Sequence, residues 1–364
     1  MNPFKPTAGK MPPELIGRDA IVEAFVDGMD NGPGAPERLM RLTGARGMGK
    51  TVMLNELGRV ARQRGWTVVD EVASAGFCAR ILDRLTPRSQ VGAMRIQSSI
   101  LGISLGEVDI ERASLTLRET MEARLRDDKA GLLITLDEVQ DTSLDEVRAL
   151  AVAVQQVIGA DLNIAFVFAG LPSMVDRVVN AKTLTFLRRA MPEELAPLWF
   201  EDIEQSFAET VAASGMRVAQ DVLPAMTEAS AGYPFMVQLV GYYTWKAAQK
   251  RGSDILEGPD AQQGVEAARR QFDRMVIEPA LHNLPESLLT YLLAMAEDEG
   301  ASSKVGAVAL RLDKGLTELS SYRSRLIKEN VVESRARGEI EFAIPYMVDY
   351  LNAHRADLLD EMGL

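Results

Sequence analysis

The stretch ERLMRLTGARGMGKTVMLNELGRVARQRGWTVV, residues 37–69, decides the fold. Residues 38–43 read as a short strand. Residues 51–64 read as a helix, with Met53, Leu54, Leu57, Val60 and Ala61 on one face and Gly65 at its end. WTVVDEV (66–72) returns as a strand, so the stretch is a βαβ unit and implies a parallel sheet. The junction GARGMGKT (44–51) satisfies G-x-x-x-x-G-K-[ST] in the strand-to-helix context that pattern requires. Gly44, Ala45, Arg46, Gly47, Met48 and Gly49 would wrap so that successive N–H groups point into one concavity, a cradle for phosphate oxygens continued by Val52. The helix start adds partial positive charge. Lys50 is placed to reach β and γ phosphates, and Thr51 to offer its hydroxyl to Mg²⁺. A chance glycine-rich turn is the competing explanation, and the flanking elements disfavour it.

A second motif is GLLITLDEVQD (131–141), a continuously apolar strand suited to a sheet buried on both faces. An aspartate at the tip of such a strand can hold a magnesium shell, which makes Asp137 a metal candidate. Glu138 beside it is placed to polarise a water aimed at the γ-phosphate. The bland alternative is that both acids cap the helix expected at 143–158. The two motifs together predict a site for ATP or ADP with Mg²⁺, and hydrolysis through Glu138.

Composition limits the other options. The chain has 364 residues, 47% hydrophobic and 25% charged, enough for two or three packed domains. No apolar run is long enough to cross a bilayer, and MNPFKPTAGKMPPEL lacks a signal-peptide core, so no membrane partner is expected. One cysteine, Cys78, excludes an internal disulfide and a cysteine-based zinc site, in keeping with a cytoplasmic location. His282 and His354 are the only histidines, so histidine-led catalysis is not expected. The net charge is −12, so any DNA contact needs a local basic surface.

Pro3, Pro6, Pro12 and Pro13 make the first fourteen residues an extended arm. Residues 18–32 read as a helix capped by Asp19, with Ile21, Val22, Phe25 and Val26 inward. Further expectations are a helix at 111–127, a strand at 163–170, and short strands or a loop at 89–108. Past residue 198 only helices are expected, near 200–214, 219–230, 233–250 and 260–280. Near the end, three short helices precede VVES, a turn RARG and EIEFAI, the pattern of a winged helix with a two-strand wing.

On these residues the chain resembles AAA+ ATPases of the origin-recognition and archaeal-initiator-like clade, which grades into the STAND signalling ATPases. More narrowly it resembles bacterial Orc-like AAA ATPases, through NPFKP (2–6), PPELIGRD (12–19) and GARGMGKT (44–51). The resemblance implies an α/β P-loop NTPase of the AAA+/ASCE type, a three-layer parallel sheet (1–197). A helical lid (198–283) and a winged helix (284–364) would follow. It also implies that Ile16, Gly17 and Arg18 lie against adenine, and that Ser173 in FAGLPS senses the γ-phosphate where asparagine is commoner. Arg188 or Arg189 would be a finger in cis or to a neighbouring subunit; a solvated helix face explains these arginines equally well. AGYPF (231–235) resembles a STAND lid motif, placing Gly232 and Pro234 near the nucleotide, while the usual lid arginine is missing.

Three functions follow as expectations. The first is a regulatory ATPase whose nucleotide state reorients lid and winged helix, with a protein partner or self-oligomer. The second is a DNA-binding initiator or loader acting through residues 311–338, including Arg323, Arg325, Lys328, Arg335 and Arg337. Against it, residues 285–364 hold nine Lys or Arg and fourteen Asp or Glu. A kinase or transferase, the third, needs an acceptor pocket that no motif announces.

Overall fold

The computed structural model describes all residues except 8, 87–106, 128–129, 140–143, 182–183, 283 and 363–364. The base is a five-stranded parallel sheet. Its strands are β1 (Leu39–Thr43), β2 (Thr67–Val72), β3 (Leu132–Asp137), β4 (Ile164–Gly170) and β5 (Met191–Glu194), in the order β2-β3-β4-β1-β5. Every residue of β3 and β4 is buried, as near-continuous apolar runs demand of strands covered on both faces. The connecting helices are α1 (Asp19–Asn31), α2 (Lys50–Gln63), α3 (Phe77–Leu85), α4 (Glu107–Asp127), α5 (Leu144–Gly159) and α6 (Pro172–Asn180).

One sheet face packs against α3 to α6 through Ile81, Leu117, Leu150 and Val178. On the other face, Leu42, Met53, Leu133 and Val167 belong to a core that continues through the middle helices into the C-terminal region. Leu42, Phe207, Tyr233, Tyr291 and Leu351 lie in that one cluster. Relative movement of these parts would therefore break apolar packing.

The middle region holds α7 (Phe200–Ala213), α8 (Val222–Ser230), α9 (Pro234–Arg251) and α10 (Gly258–Phe272). The expectation of helices only fails here: β6 (Arg217–Val218) and β7 (Ile255–Leu256) form a short parallel pair. Two-residue strands leave no periodicity to read. The helix expected at 260–280 also breaks, passing from α10 into a π-helical turn, Asp273–Ile277, before α11 (Glu278–His282). Pro279 explains the defect, since it has no N–H to donate to the Met275 carbonyl.

The C-terminal region runs α12 (Glu286–Met295), β8 (Ser302–Lys304), α13 (Val305–Arg311), α14 (Leu316–Lys328), β9 (Val332–Ala336), β10 (Glu339–Phe342), α15 (Met347–Ala353) and α16 (Arg355–Glu361). Its antiparallel sheet has the order β8-β10-β9, one strand more than the expected pair. Asp19 is the first residue of α1 rather than its cap; Arg18 precedes the helix without a side-chain cap. The reading of 89–108 lies outside the described residues, apart from 107 and 108 at the start of α4. No helix among the described residues is long and apolar enough to cross a membrane.

Candidate nucleotide site

Residues 44–49 link the C-terminal end of β1 to α2, beside the point where the strand order reverses. In open α/β sheets that reversal opens a crevice at the strand ends. Gly49 precedes α2 in the left-handed region, φ 90°. Gly47 is also left-handed, φ 83°, and a Cβ there would lie 2.5 Å from the Tyr233 ring. Both the turn and the aromatic contact therefore need glycine.

Lys50 is only 6% exposed, and its Nζ donates to the carbonyls of Gly44 and Ala45, at 2.9 Å each. Burial lowers its pKa, while Glu138 and Asp137 oppose the shift and Arg46 adds to it. Asp137 ends β3, two strands from β1 with β4 between. The start of α2 spans that distance: the Thr51 hydroxyl donates to Asp137 Oδ2 at 2.5 Å. The other carboxylate oxygen accepts the Glu138 N–H at 2.9 Å. Desolvation raises the Asp137 pKa, opposed by the Thr51 hydrogen bond, as befits a carboxylate held out of water. Glu138 follows in the left-handed region at φ 54°, a strained conformation for a residue with a side chain.

A cavity of about 560 Å³ lies over these groups, within the range of small-ligand sites. Arg46, Gly47, Met48, Gly49, Lys50, Thr51 and Val52 line it, with Glu138. Gly44 and Ala45 stand behind, as the acceptors for Lys50. Ile16 and Arg18 also line the cavity, and the Arg18 guanidinium donates to the Ala196 carbonyl at 2.5 Å. Gly17 does not line it; it faces Asp202 of α7.

Of the lid motif, Pro234 lines the cavity. Gly232 sits against Pro197 and Leu198 instead, and its carbonyl accepts the Leu198 N–H at 2.8 Å. The residue between them, Tyr233, is the one that grips the cradle. It is 1% exposed and donates its hydroxyl to the Arg46 carbonyl. Burial raises its pKa, which keeps it a donor.

Other candidates lie elsewhere. The Ser173 hydroxyl donates to the Lys328 carbonyl at the end of α14, at 3.1 Å, and does not line the cavity. Arg188 and Arg189 are exposed and also outside it. Arg188 donates to the Val179 and Asn180 carbonyls, closing the C-terminus of α6. Within one chain neither arginine reaches the cradle.

No group of three or more His, Cys, Asp or Glu suited to a metal occurs among the described residues. A Mg²⁺ ion fits nevertheless, because it favours one or two protein oxygens plus phosphates and water. Thr51 and Asp137 supply such a pair.

Sheet order, cradle and strand-tip acid define the AAA+ type of P-loop ATPase fold, and residues 14–167 match the family model of the AAA ATPase domain. Residues 274–351 match a domain of unknown function. Among solved structures, the chain is similar to the ORC2 protein of Aeropyrum pernix in its ADPNP–ADP complexes. That match has 16% identity and a TM-score of 0.68, covering 99% of this chain and 98% of that one. A Walker-type ATPase of Pyrococcus abyssi aligns at 13% identity and a TM-score of 0.64, covering 94% and 97%. The ORC1 protein of Aeropyrum pernix in complex with DNA aligns at 16% and 0.51, covering 96% and 95%. Identities this low carry the fold, which is therefore Orc-like from end to end. A comparison with curated proteins finds no match.

Proposed function

We propose that this chain binds and hydrolyses Mg²⁺-ATP and uses its nucleotide state to set the position of the helical and C-terminal regions. The observation that carries the ATP reading is the 2.5 Å hydrogen bond from Thr51 to Asp137, beside the buried Lys50. Two distant parts of the chain, Lys50 with Thr51 and, 86 residues along, Asp137, converge where a triphosphate tail and its metal would sit. Bound magnesium would neutralise phosphate charge, held by Thr51 and Asp137. Lys50 would leave the Gly44 and Ala45 carbonyls for phosphate oxygens. Glu138 would orient the attacking water and accept its proton. Ile16 and Arg18 would border the base. Arg188 or Arg189 would act only on a neighbouring subunit's nucleotide.

The switch reading rests on an aromatic relay. Tyr233 holds the Arg46 carbonyl and meets Phe272 edge-on, ring centroids 5.7 Å apart. Phe272 meets Tyr346 edge-on at 6.3 Å. Tyr346 lies under Arg269 at 4.1 Å and donates to the Ala229 carbonyl at 2.7 Å. A change in the cradle at Arg46 therefore meets rings from both following regions, read here as a lid (198–283) and a winged helix (284–364). Phosphate release, limited proteolysis and small-angle scattering test this together. Hydrolysis is expected, with different profiles for the ATP and ADP forms. Identical profiles would remove the switch but leave the ATPase.

A second reading is DNA binding through 311–338. It is favoured by the exposed face of α14, where Ser321, Ser324, Arg325 and Lys328 stand in solvent. Three cations of the segment are already paired: Arg311 with Glu297 and Asp298, Lys314 with Glu318 at 2.7 Å, and Arg335 with Glu341 at 3.4 Å. Fluorescence anisotropy with duplex DNA across a salt series decides it. Salt-steep binding supports it, and no binding removes it.

A further inference from the structure

Lys5, Thr7, Gly9 and Lys10 of the N-terminal arm form a second wall of the same cavity. Phe4 is 2% exposed, edge-on to Phe207 of α7 at 5.9 Å. It also lies so close to α9 that a Cβ on Gly241 would come within 2.4 Å of its ring. Asn2 donates to the Tyr242 carbonyl at 2.9 Å, and the Lys5 N–H to Gln238 Oε1 at 3.0 Å, both on α9. The arm then reaches the cradle helix: Asn55 donates to the Gly9 carbonyl at 3.2 Å, and a Cβ on Gly9 would sit 3.6 Å from the Thr51 methyl. The arm therefore bridges α9 and α2 at the mouth of the site.

Its charge fits the proposed ligand. Residues 1–13 contain Lys5 and Lys10 and no acid, in a chain of net charge −12. Both lysines line the cavity, together with Arg18, Arg46 and Lys50, against two lining carboxylates among the described residues, Glu14 and Glu138. The first turn of α9, which faces the same cavity through Pro234 and Phe235, has no charged residue. Lys5 Nζ donates to the Asn2 backbone carbonyl, 3.0 Å away, and has no ion pair among the described residues, so it can turn to a ligand.

We propose that the N-terminal arm is the basic second half of the nucleotide site, in which Lys5 and Lys10 bind the anionic nucleotide opposite the cradle. This rests on the ATP reading above and adds to it a part of the site on the lid side. The docked Phe4 anchors these lysines, so nucleotide binding and arm docking support one another.

The test is stopped-flow and equilibrium binding of ATP carrying a fluorescent N-methylanthraniloyl group. The proteins are the full chain, Lys5→Ala/Lys10→Ala, Lys5→Arg/Lys10→Arg, Phe4→Ala and Lys50→Ala. The double alanine variant is expected to bind about tenfold more weakly, chiefly through faster release, as loss of a charge contact predicts. Its ligand-free melting temperature should stay close to that of the parent, since Lys10 is exposed and half-buried Lys5 gives up one hydrogen bond, to the Asn2 carbonyl, and the arginine pair should restore affinity. Phe4→Ala should also release nucleotide faster. Equal affinity of parent and double alanine variant, with Lys50→Ala still defective, would overturn the arm's role while leaving the ATP reading standing. Absence of binding by the parent itself would overturn both.

Discussion

The cradle and α14 carry similar cations in opposite settings. Lys50 is buried at the head of α2, pointed inward by two backbone carbonyls, with Asp137 and Glu138 near enough to oppose the fall in its pKa. On α14, Arg325 and Lys328 are exposed, while Lys314, just before the helix, is paired with Glu318 in its first turn. A desolvated cation held in a concavity has a large interaction energy with an incoming anion; a solvated one in a mixed surface has little. Charge alone does not mark a site. Its burial and the convergence of its neighbours do.

The sharpest way to break this contrast is Lys50→Ala. Affinity for Mg²⁺-ATP should fall at least about a hundredfold by calorimetry, as loss of a buried charge contact predicts. Glu138→Gln comes next: binding persists while phosphate release slows by about 10²–10⁴-fold, the usual contribution of a general base. Normal turnover in that variant would strip Glu138 of its role.

Asp137→Asn should show opposite effects on binding and stability. Burial raises the Asp137 pKa above its unfolded value, so its ionisation in the ligand-free protein costs stability as pH rises through the folded value. Asparagine can still accept from the Glu138 N–H and donate to Thr51. The ligand-free variant should therefore melt higher than the parent at neutral pH. The gain should vanish in acid, below the ordinary carboxylate pKa, where the parent's carboxyl is protonated in both states. Magnesium-dependent stabilisation by ATP should be lost. Tyr233→Phe removes one hydroxyl bond, costing about 1 kcal/mol in chemical denaturation, and should weaken the nucleotide dependence of proteolysis in the C-terminal region. The smallest effect belongs to the other side of the comparison. Arg325→Ala with Lys328→Ala should change ATP affinity by less than about twofold, since distant sites act independently. Any DNA affinity should fall, with a shallower salt dependence.

Legibility in the sequence followed chain distance. GARGMGKT is contiguous, and its spacing alone specifies a turn between strand and helix. LLITLDE needed one more step: a strand apolar on both faces must be central, so the acid at its tip meets whatever its neighbours present. Tyr233 gave no such sign. Its partner Arg46 is 187 residues away, and the flanking Gly232 and Pro234 drew attention because turns and helix starts have composition rules while a tyrosine hydroxyl has none. The arm is a similar case, with Asn2 bonded 240 residues along the chain. A basic, acid-free segment in an acidic protein was its only visible clue. The FAGLPS motif was readable as a strand end, but the contact of Ser173 with Lys328 depends on how the C-terminal region packs on the base. No local pattern encodes that.

The most direct test of the central claim is a calorimetric titration of the full-length protein with ATP, with and without Mg²⁺, beside Lys50→Ala. The account requires one nucleotide per chain, tighter with magnesium, and no measurable heat for the variant. A parent that takes up no nucleotide, or a variant that binds as the parent does, would contradict it.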